Sequence, residues 1–366
     1  MRRGRKILVW IVGILVLLIA IIVIIIATFD WNRAKPFIND KVSQAIGRRF
    51  EIQGDLSVHW QREPDQGWLA SIVPWPEFVA QQIRVANPDW AKNQQFATLD
   101  ALRFRISPLA LLAHRIAIPT VQLVKPDIDL ERDKQSRANW EFALPQSSGP
   151  STWTLDLGAI GFDRGHIALD DASTRIQMQV NIEPLQKAIP YDEIVAQQSE
   201  RARDQAQKTT GGDARKALAN DKDDEPKTRP ASAYAFSWQA KGTYQGTSLY
   251  GDGKTGGVLA LQQSDQPFPV QADMHIGDSH IALVGTLTDP MHLAALDLRL
   301  WFSGTSMAKL YPITGLTLPD TPPYATEGHL TAQLHKNNSH FSYHNFRGRV
   351  GGSDLGGDLD FTTAGP

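Results

Sequence analysis

Two stretches of this sequence carry residues whose types and spacing could do chemistry. Residues 248–255 end like a phosphate-binding loop, but Ser248 stands where the first glycine is required. The residues that follow predict a turn and a strand, whereas such a loop leads into a helix. His335, His340 and His344 could share a metal ion, yet their polar neighbours and the absence of cysteine are typical of solvated histidines on strands and turns. Neither stretch therefore predicts a nucleotide site or a metal site.

An acid pair is the remaining candidate for catalysis. Asp170 and Asp171 are adjacent, and adjacent strand residues point to opposite faces, so the two carboxylates cannot act on one substrate atom. Turn aspartates are the usual explanation, and no Gly-x-Ser-x-Gly nucleophile motif is present. A net charge of −2 argues against a nucleic-acid-binding protein, which needs a basic stripe. We therefore expect no enzyme, no cofactor, no metal and no nucleic-acid partner.

The elements that carry these residues are mainly short β-strands. Apolar and polar residues alternate with period two in runs such as 234–238 and 270–276, which predicts strands with one apolar and one polar face. Breaks rich in Gly, Asp and Pro at 277–279 and 288–290 separate the runs at distances typical of hairpins. Near-continuous antiparallel β-structure is therefore predicted for residues 234–361.

Two of these strands supply the candidate binding surface. The strands on either side of residues 288–290 should pair antiparallel, which places their apolar side chains on one continuous patch. This patch consists of Ile281, Leu283, Leu287, Leu296, Leu298, Leu300 and Phe302. An apolar sheet face must be covered by a second sheet, a helix or a ligand. Periodicity alone favours a second sheet in an ordinary β-sandwich core. An open groove that shelters acyl chains is the alternative.

An unbroken apolar run at residues 7–29 precedes the β-rich part. At about 1.5 Å per residue, a helix of this length crosses a hydrocarbon core of about 30 Å, which predicts a transmembrane anchor. Four basic residues before the run predict a cytoplasmic amino terminus and an exported remainder: Arg2, Arg3, Arg5 and Lys6. Trp10 and Trp31 flank the apolar core as interface anchors. A cleavable signal peptide is the competing interpretation, but it would have a shorter apolar region and a small-residue cleavage site.

Helical signals in the rest of the chain are few. Residues 35–48 have an approximate helical face, with Pro36 near the start and Gly47 near the end. Pro108 is placed to begin a short helix, because its fixed φ suits the first helical position. Residues 196–232 contain hardly any apolar side chain larger than alanine. This stretch is therefore predicted to be a polar flexible insertion, partly helical or disordered, that buries no core.

The order of several short motifs resembles a known family. Phe-Asp-Trp-Asn follows the anchor at 29–32, and Gly-Asp-Leu occurs at 54–56. Leu-Ala-Leu-Leu at 109–112, Val-Lys-Pro-Asp-Ile-Asp-Leu at 124–130 and Ala-Asn-Trp at 138–140 come next. No single motif is specific. Their succession along the chain is similar to that of the AsmA family of bacterial envelope proteins.

This resemblance implies a function and reverses the preference between the two sheet arrangements. Family members similar to this chain are anchored in the inner membrane, project into the periplasm, act in outer-membrane biogenesis and resemble β-groove lipid-transfer proteins. The expected fold class is then mainly β, a long curled antiparallel sheet with an open groove, short helices near its start and an amino-terminal transmembrane helix. Membrane phospholipids are the expected partners. The alternative function is an envelope scaffold that regulates assembly or targeting of outer-membrane proteins, which would then be its partners.

We therefore expect five segments along the chain. They are a basic leader (1–6), an anchor (7–29), a family-like segment (30–195), a polar flexible insertion (196–232) and an antiparallel β-groove segment (233–366). Family members of this kind usually continue well beyond this point and carry a further carboxy-terminal region. The resemblance thus also predicts that the chain is a truncated member.

Overall fold

The computed structural model describes residues 28–61, 75–111, 114–142, 154–211, 228–230, 232–257, 266–289, 294–311, 317–333 and 338–364, together with residues 10, 13, 218 and 226. This described part is mainly β, with seventeen strands and few helices, as the sequence predicts. The helices are α1 (Lys35–Ile46), α2 (Pro108–Leu111) and α3 (Tyr191–Thr210), with 3-10 helices at Trp31–Ala34 and Met307–Leu310. The strands are β1 (Phe50–Ile52), β2 (Leu56–Gln61), β3 (Trp75–Ala86), β4 (Gln95–Arg105), β5 (Arg115–Val124), β6 (Asp127–Arg132), β7 (Thr154–Phe162), β8 (Gly165–Asp171), β9 (Ile176–Ile189), β10 (Tyr234–Tyr244), β11 (Thr247–Thr255), β12 (Phe268–Ile276), β13 (Ser279–Thr288), β14 (Ala295–Gly304), β15 (Tyr324–Gln333), β16 (Asn338–Val350) and β17 (Ser353–Ala364).

The predicted membrane anchor at 7–29 lies almost entirely outside the described residues, as do the four basic residues before it. Within the described residues, no helix combines the length and the apolar character that crossing a bilayer requires. Of the two predicted interface anchors, Trp10 is exposed. Trp31 is partly buried, and its ring meets those of Phe29 and Phe78 edge-on at centroid distances of 5.2 Å. The transmembrane anchor stays a prediction.

The chain divides into two compact units, of which the first consists of residues 1–126 and 141–160. In this unit β1 and β2 both pair with β3, and the pairing continues through β4 and β5 to β7. The buried cluster of the unit is Ile52, Leu56, Ala80 and Ile83, with Ile38 of α1 packed against it. The first unit therefore has its own hydrophobic core beneath α1.

The two short helices predicted for this unit are α1 and α2. Pro36 lies in the first turn of α1, where its missing N–H costs no hydrogen bond. Gly47 ends the helix in the left-handed conformation at φ 67°, and its N–H donates to the carbonyl of Ser43. α2 begins at Pro108, as expected. Local residue choice thus accounts for the ends of these helices.

The second unit consists of residues 127–140 and 161–366 and is built on an eleven-stranded sheet. The strands follow the order β6, β8, β9 and then β10 to β17 in sequence. No described pairing joins β17 back to β6, so this sheet is open. The antiparallel structure predicted for residues 234–361 is confirmed for the strands described in that range.

One pair departs from the predicted antiparallel pattern. β6 and β8 are parallel, with Ile128 opposite Ile167 and Leu130 opposite Leu169. A tight turn can join only antiparallel neighbours, whereas a parallel pair needs a connection of about a dozen residues or more. Residues 133–164 provide that connection. The intervening strand β7 begins in the first unit, which the period of the sequence could not show.

The prediction that residues 196–232 bury no core is wrong for their first part. These residues begin within α3, which runs on to Thr210 with a buried face. Ala202 packs in the cluster formed with Ile194 and Val195, and Ala206 packs with Leu218 and a strand alanine. Alanine was discounted as too small to form a core. It suffices in this case because small side chains allow the helix backbone to approach the sheet closely.

Candidate functional site

The apolar patch predicted from the sequence lies on the pair β13–β14. The two strands are antiparallel, with Ile281 opposite Phe302 and Leu283 opposite Leu300. Leu287 is opposite Leu296, so these side chains share one face. The predicted pairing and register are therefore confirmed, while a role in lipid binding stays a prediction.

This face extends well beyond the predicted patch, across the whole eleven-stranded sheet. One row of directly paired residues crosses every strand in turn. It consists of Ile128, Ile167, Val180, Ala240, Gly251, Met274, Ile281, Phe302, Thr326, Gly348 and Leu355. Every member except the threonine is apolar or glycine. The second unit therefore carries a continuous surface, which we call the apolar face.

The adjacent row points to the opposite side of the sheet and has a different character. It consists of Asp129, Ala168, Gln179, Lys241, Tyr250, His275, His280, Ser303, Ala325, Arg349 and Asp354. Most members are polar or charged, so we call this side the polar face. Along these two rows the sheet thus separates an apolar environment from a mainly polar one.

The side chains of the apolar face are only partly removed from water. Ile281, Leu283 and Phe302 are half-buried, as are Leu287 and Leu296. Two members of the predicted patch are more protected, since Leu298 and Leu300 are each 5% exposed. A sandwich core would bury all of these side chains, because a second sheet would pack against them about 10 Å away. The burial is graded, and it leaves apolar surface available to a ligand.

Glycines allow large side chains to lie flat along this face. Trp238 on β10 lies over Gly253 on β11, where an added Cβ would come within 2.3 Å of the indole ring. Gly328 on β15 similarly faces the ring of Tyr343, at 2.7 Å from the position of a Cβ. Tyr343 in turn stacks on Phe346 with a centroid distance of 5.4 Å. The apolar face is thus lined by flat rings and aliphatic chains.

The polar face is the side on which α3 packs. Ala282, Val284 and Trp301 project from β13 and β14 on this side and are at most 2% exposed. They form one buried cluster with Ile194 and Val195 of α3. α3 therefore covers part of the polar face through this buried cluster, which we call the apolar island. The strand residues of the apolar island are not those of the predicted patch.

Charged residues surround that island and are paired. The guanidinium group of Arg299 donates to the carboxylate of Glu327, with the Nε–Oε1 distance at 2.7 Å. Both side chains are nearly inaccessible to water, at 2% and 0% exposure. Arg203 of α3 lies 3.8 Å from the same carboxylate. Two cations thus share one buried anion between the helix and the sheet.

Comparison with known proteins identifies the family. The AsmA family model matches residues 1–366. The chain belongs to the AsmA family. AsmA family protein YhjG of Escherichia coli (strain K12) is 39% identical over 373 residues, which cover 100% of this chain and 51% of that relative. This AsmA-family chain therefore spans about half the length of the curated relative it matches. No solved structure matches it.

The family assignment confirms the resemblance seen in the motifs. Neither the matched family nor the matched relative indicates a catalytic class. In this AsmA-family chain, the residues considered for catalysis lie in an ordinary strand and an ordinary turn. Residues 248–255 lie within β11, so this stretch is a strand and not a phosphate-binding loop. Asp171 accepts hydrogen bonds from the backbone N–H groups of Ser173 and Thr174, which is the geometry of a turn aspartate.

The histidines considered and rejected as a metal site are only partly described, since His335 lies outside the described residues. His340 contacts Ser342 and Thr362 on the polar face. His344 lies 3.4 Å from Asp358 on the neighbouring strand. These contacts are hydrogen bonds and ion pairs of half-buried or exposed strand residues.

The structure of this AsmA-family chain brings together a different group of possible metal ligands, which was not predicted from the sequence. Asp273 and His275 project from β12 on the polar face, and His280 projects beside them from β13. Their ligand atoms all lie within 4.8 Å of one another. The signal was present in the sequence, because a hairpin turn at 277–278 pairs residue 275 with residue 280. Closeness along the chain does not reveal this group, because the cross-strand register is what brings His280 to His275.

A second acid–histidine pair on the polar face should make stability depend on pH. Burial alone raises the pKa of Asp297, but hydrogen bonds from His329 and Thr228 outweigh it, so the pKa lies below its ordinary value of 3.8. A carboxyl group with a lowered pKa stabilises the fold above its ordinary pKa, and this stabilisation is lost as the pH falls through the lowered value. We expect the Tm of Asp297→Asn to fall less steeply than that of the unmodified chain as the pH drops below about 4. A Tm that falls as steeply with pH in Asp297→Asn as in the unmodified chain would contradict the assignment.

Proposed function

We propose that this chain is a membrane-anchored envelope protein of outer-membrane biogenesis that shields phospholipid acyl chains along its apolar face. The continuity of the apolar face over all eleven strands of the second unit carries the proposal. AsmA family membership supports an envelope or lipid-related role. The chain covers about half of the relative, so the activity of the whole protein is part of the proposal.

The chemistry of the face suits an acyl chain better than a polar ligand. Each methylene group removed from water contributes about 0.8 kcal/mol, so covering about ten of them offsets about 8 kcal/mol of extraction cost. Half-buried side chains such as Ile281, Leu283 and Phe302 supply the surface for this. The face has little to hold a headgroup, because most charged groups lie on the opposite side and its charged residues Arg132 and Asp171 are paired with each other. We infer that acyl chains lie along the sheet while headgroups stay in water.

The packing of α3 on the polar face supports the proposal that the apolar face is accessible. α3 packs on the polar face through Ala282, Val284 and Trp301. A scaffold with a closed core would instead use its largest apolar surface for packing. The predicted patch on β13 and β14 lies on the other side of the same two strands.

The first residues of the chain support a location in the inner membrane. The basic leader before residues 7–29 favours a cytoplasmic amino terminus and a single span of the inner membrane. The β-rich units would then stand in the periplasm, between the two membranes of the envelope. This position is the one that a carrier of acyl chains between membranes requires.

Photo-crosslinking tests which side of the sheet meets lipid. Benzoylphenylalanine replaces Phe302 on the apolar face in one variant and Tyr250 on the polar face in the other. Both sites carry an aromatic side chain, and Tyr250 is 52% exposed, so the control position is accessible. We expect phospholipid adducts at Phe302 to exceed those at Tyr250 several-fold when cells are irradiated and adducts are identified by mass spectrometry.

Two outcomes of that experiment would contradict the proposal. Equal lipid labelling at both positions would indicate nonspecific contact with membranes. Protein adducts without lipid at Phe302 would favour the envelope scaffold. A second apolar-face position, Ile281, should behave like Phe302, because the two residues are directly paired.

A further inference from the structure

The hairpin β12–β13 brings two imidazole rings and one carboxylate together on the polar face. Asp273 and His275 are two residues apart on β12 and therefore project to the same side. His280 is directly paired with His275. The His280 Nε2 atom lies 2.7 Å from Asp273 Oδ1, and the two histidine rings have a centroid distance of 4.6 Å.

We propose that Asp273, His275 and His280 bind a divalent transition-metal ion, with Zn²⁺ as the best match. Neutral imidazole nitrogens and a carboxylate oxygen form one of the common donor sets for zinc. Three protein ligands leave a fourth position for water or a further ligand. The site is separate from the apolar face, and the proposal does not depend on lipid binding.

The spacing of the ligand atoms suits one ion. Ligand atoms bound about 2.1 Å from a metal can be at most about 4.2 Å apart. The three groups lie within 4.8 Å of one another, so small side-chain rotations bring them onto one centre. His280 is 5% exposed and Asp273 15% exposed at their side chains, and this partial burial limits competition from water.

Neighbouring amides hold the carboxylate in an orientation that suits metal binding. Gln198 of α3 donates from Nε2 to Asp273 Oδ2 at 3.1 Å. Gln271 donates in turn to Gln198 Oε1 at 2.6 Å. Fixing Oδ2 in this way leaves Oδ1 directed at His280. Such outer partners commonly raise metal affinity by restricting the ligands.

The ring of His275 is also held in place. It stacks on Tyr250 with a centroid distance of 4.8 Å and an angle of 3° between the planes. A bound ion would connect β12, β13 and, through Gln198, α3. We therefore expect the metal to stabilise the contact of the helix with the sheet.

The competing explanation is a hydrogen-bonded acid–histidine pair with no metal. The same polar face contains a suitable control, since His329 Nε2 lies 2.6 Å from Asp297 Oδ1 with nearly the same burial. No third His, Asp or Glu among the described residues completes a ligand set with that pair. A simple pair predicts equal behaviour at the two places, whereas a metal site predicts a difference.

Metal titration of the whole chain tests the proposal. The protein is purified without a histidine tag in mild detergent, treated with a chelator, and titrated with Zn²⁺ by calorimetry and with Co²⁺ by visible absorption. We expect one ion per chain, a Co²⁺ spectrum with ligand-field bands and a rise in Tm on adding Zn²⁺. His275→Phe keeps the aromatic contact with Tyr250 but removes the ligand nitrogen, and it should lower Zn²⁺ affinity at least about tenfold.

The control variant is His329→Gln, which should keep the affinity for Zn²⁺ and the Co²⁺ spectrum. Near-ultraviolet circular dichroism confirms that each variant is folded before titration. His275→Phe carries the comparison by itself if Asp273→Asn, the second ligand variant, does not fold. Absence of ion uptake by the unmodified chain, or equal affinities in His275→Phe and His329→Gln, would overturn the proposal.

Discussion

Replacing Glu327 by leucine is expected to lower the free energy of unfolding by about 3–5 kcal/mol. Glu327 contacts both Arg299 and Arg203. The change removes this shared anion, while both cations remain. Arg299 is 2% exposed at its side chain, so its charge cannot reach water without disturbing the packing of α3. A single buried charge without its partner costs far more than the pair itself contributes.

Urea unfolding of the whole chain, followed by tryptophan fluorescence, measures this loss. The double variant Arg299→Leu with Glu327→Leu should recover part of the stability, because no charge at position 299 then remains buried. Asp278→Ala is the matched control, since its pair with Lys309 is exposed and should matter little. A Glu327→Leu variant as stable as Asp278→Ala would show that the buried network is relaxed in solution.

Truncating Ile194 to alanine is expected to cost about 2–5 kcal/mol. Ile194 is 1% exposed and lies in the cluster with Ala282, Val284 and Trp301. The lost methyl groups would leave a cavity between α3 and the sheet, and neighbouring β-strands are too firmly paired to close it. The change should also loosen the helix, which is detected by faster amide exchange along residues 191–210.

The control for this change is Gln197→Ala, on the exposed side of the same helix. It keeps the helix propensity and should alter stability by no more than about 0.5 kcal/mol. Equal effects at positions 194 and 197 would mean that α3 does not pack on the sheet. The stretch beginning at residue 196 would then behave as the flexible insertion that its composition suggests.

The strands and their faces were predictable because a period of two depends only on neighbouring residues. Leu296, Leu298 and Leu300 alternate with polar residues or tryptophan, and their pairing with β13 followed from the short break between the strands. The packing of α3 was not predictable in this way. Its contact surface contains three large residues near its start, Tyr191, Ile194 and Val195, and otherwise alanines and polar groups. Composition alone does not predict that such a surface is buried, because it gives no information on the hydrogen bonds between its polar groups and the sheet.

The candidate site was predictable in kind but not in extent. Seven residues on two strands were identified, whereas the apolar face crosses eleven strands. Its more distant members, such as Ile128 and Ile167, come together through a parallel pair. Parallel pairing joins segments with no short turn between them, so no local pattern marks it. The cluster at Asp273 required a cross-strand register, which a turn implies but a search along the chain does not consider.

The return of the chain to the first unit after β6 affects how the protein can be divided and how it can fold. Residues 127–140 belong to the second unit, and residues 141–160 belong to the first. No single cut separates the units intact: a fragment ending at residue 126 lacks β7, and one beginning at residue 161 lacks β6. During synthesis β6 emerges before β8, its partner within the second unit, and β7, which begins in the first unit, emerges between them. The two units are therefore synthesised in alternating segments. Neither unit corresponds to one continuous stretch of sequence that could be expressed or exchanged by itself.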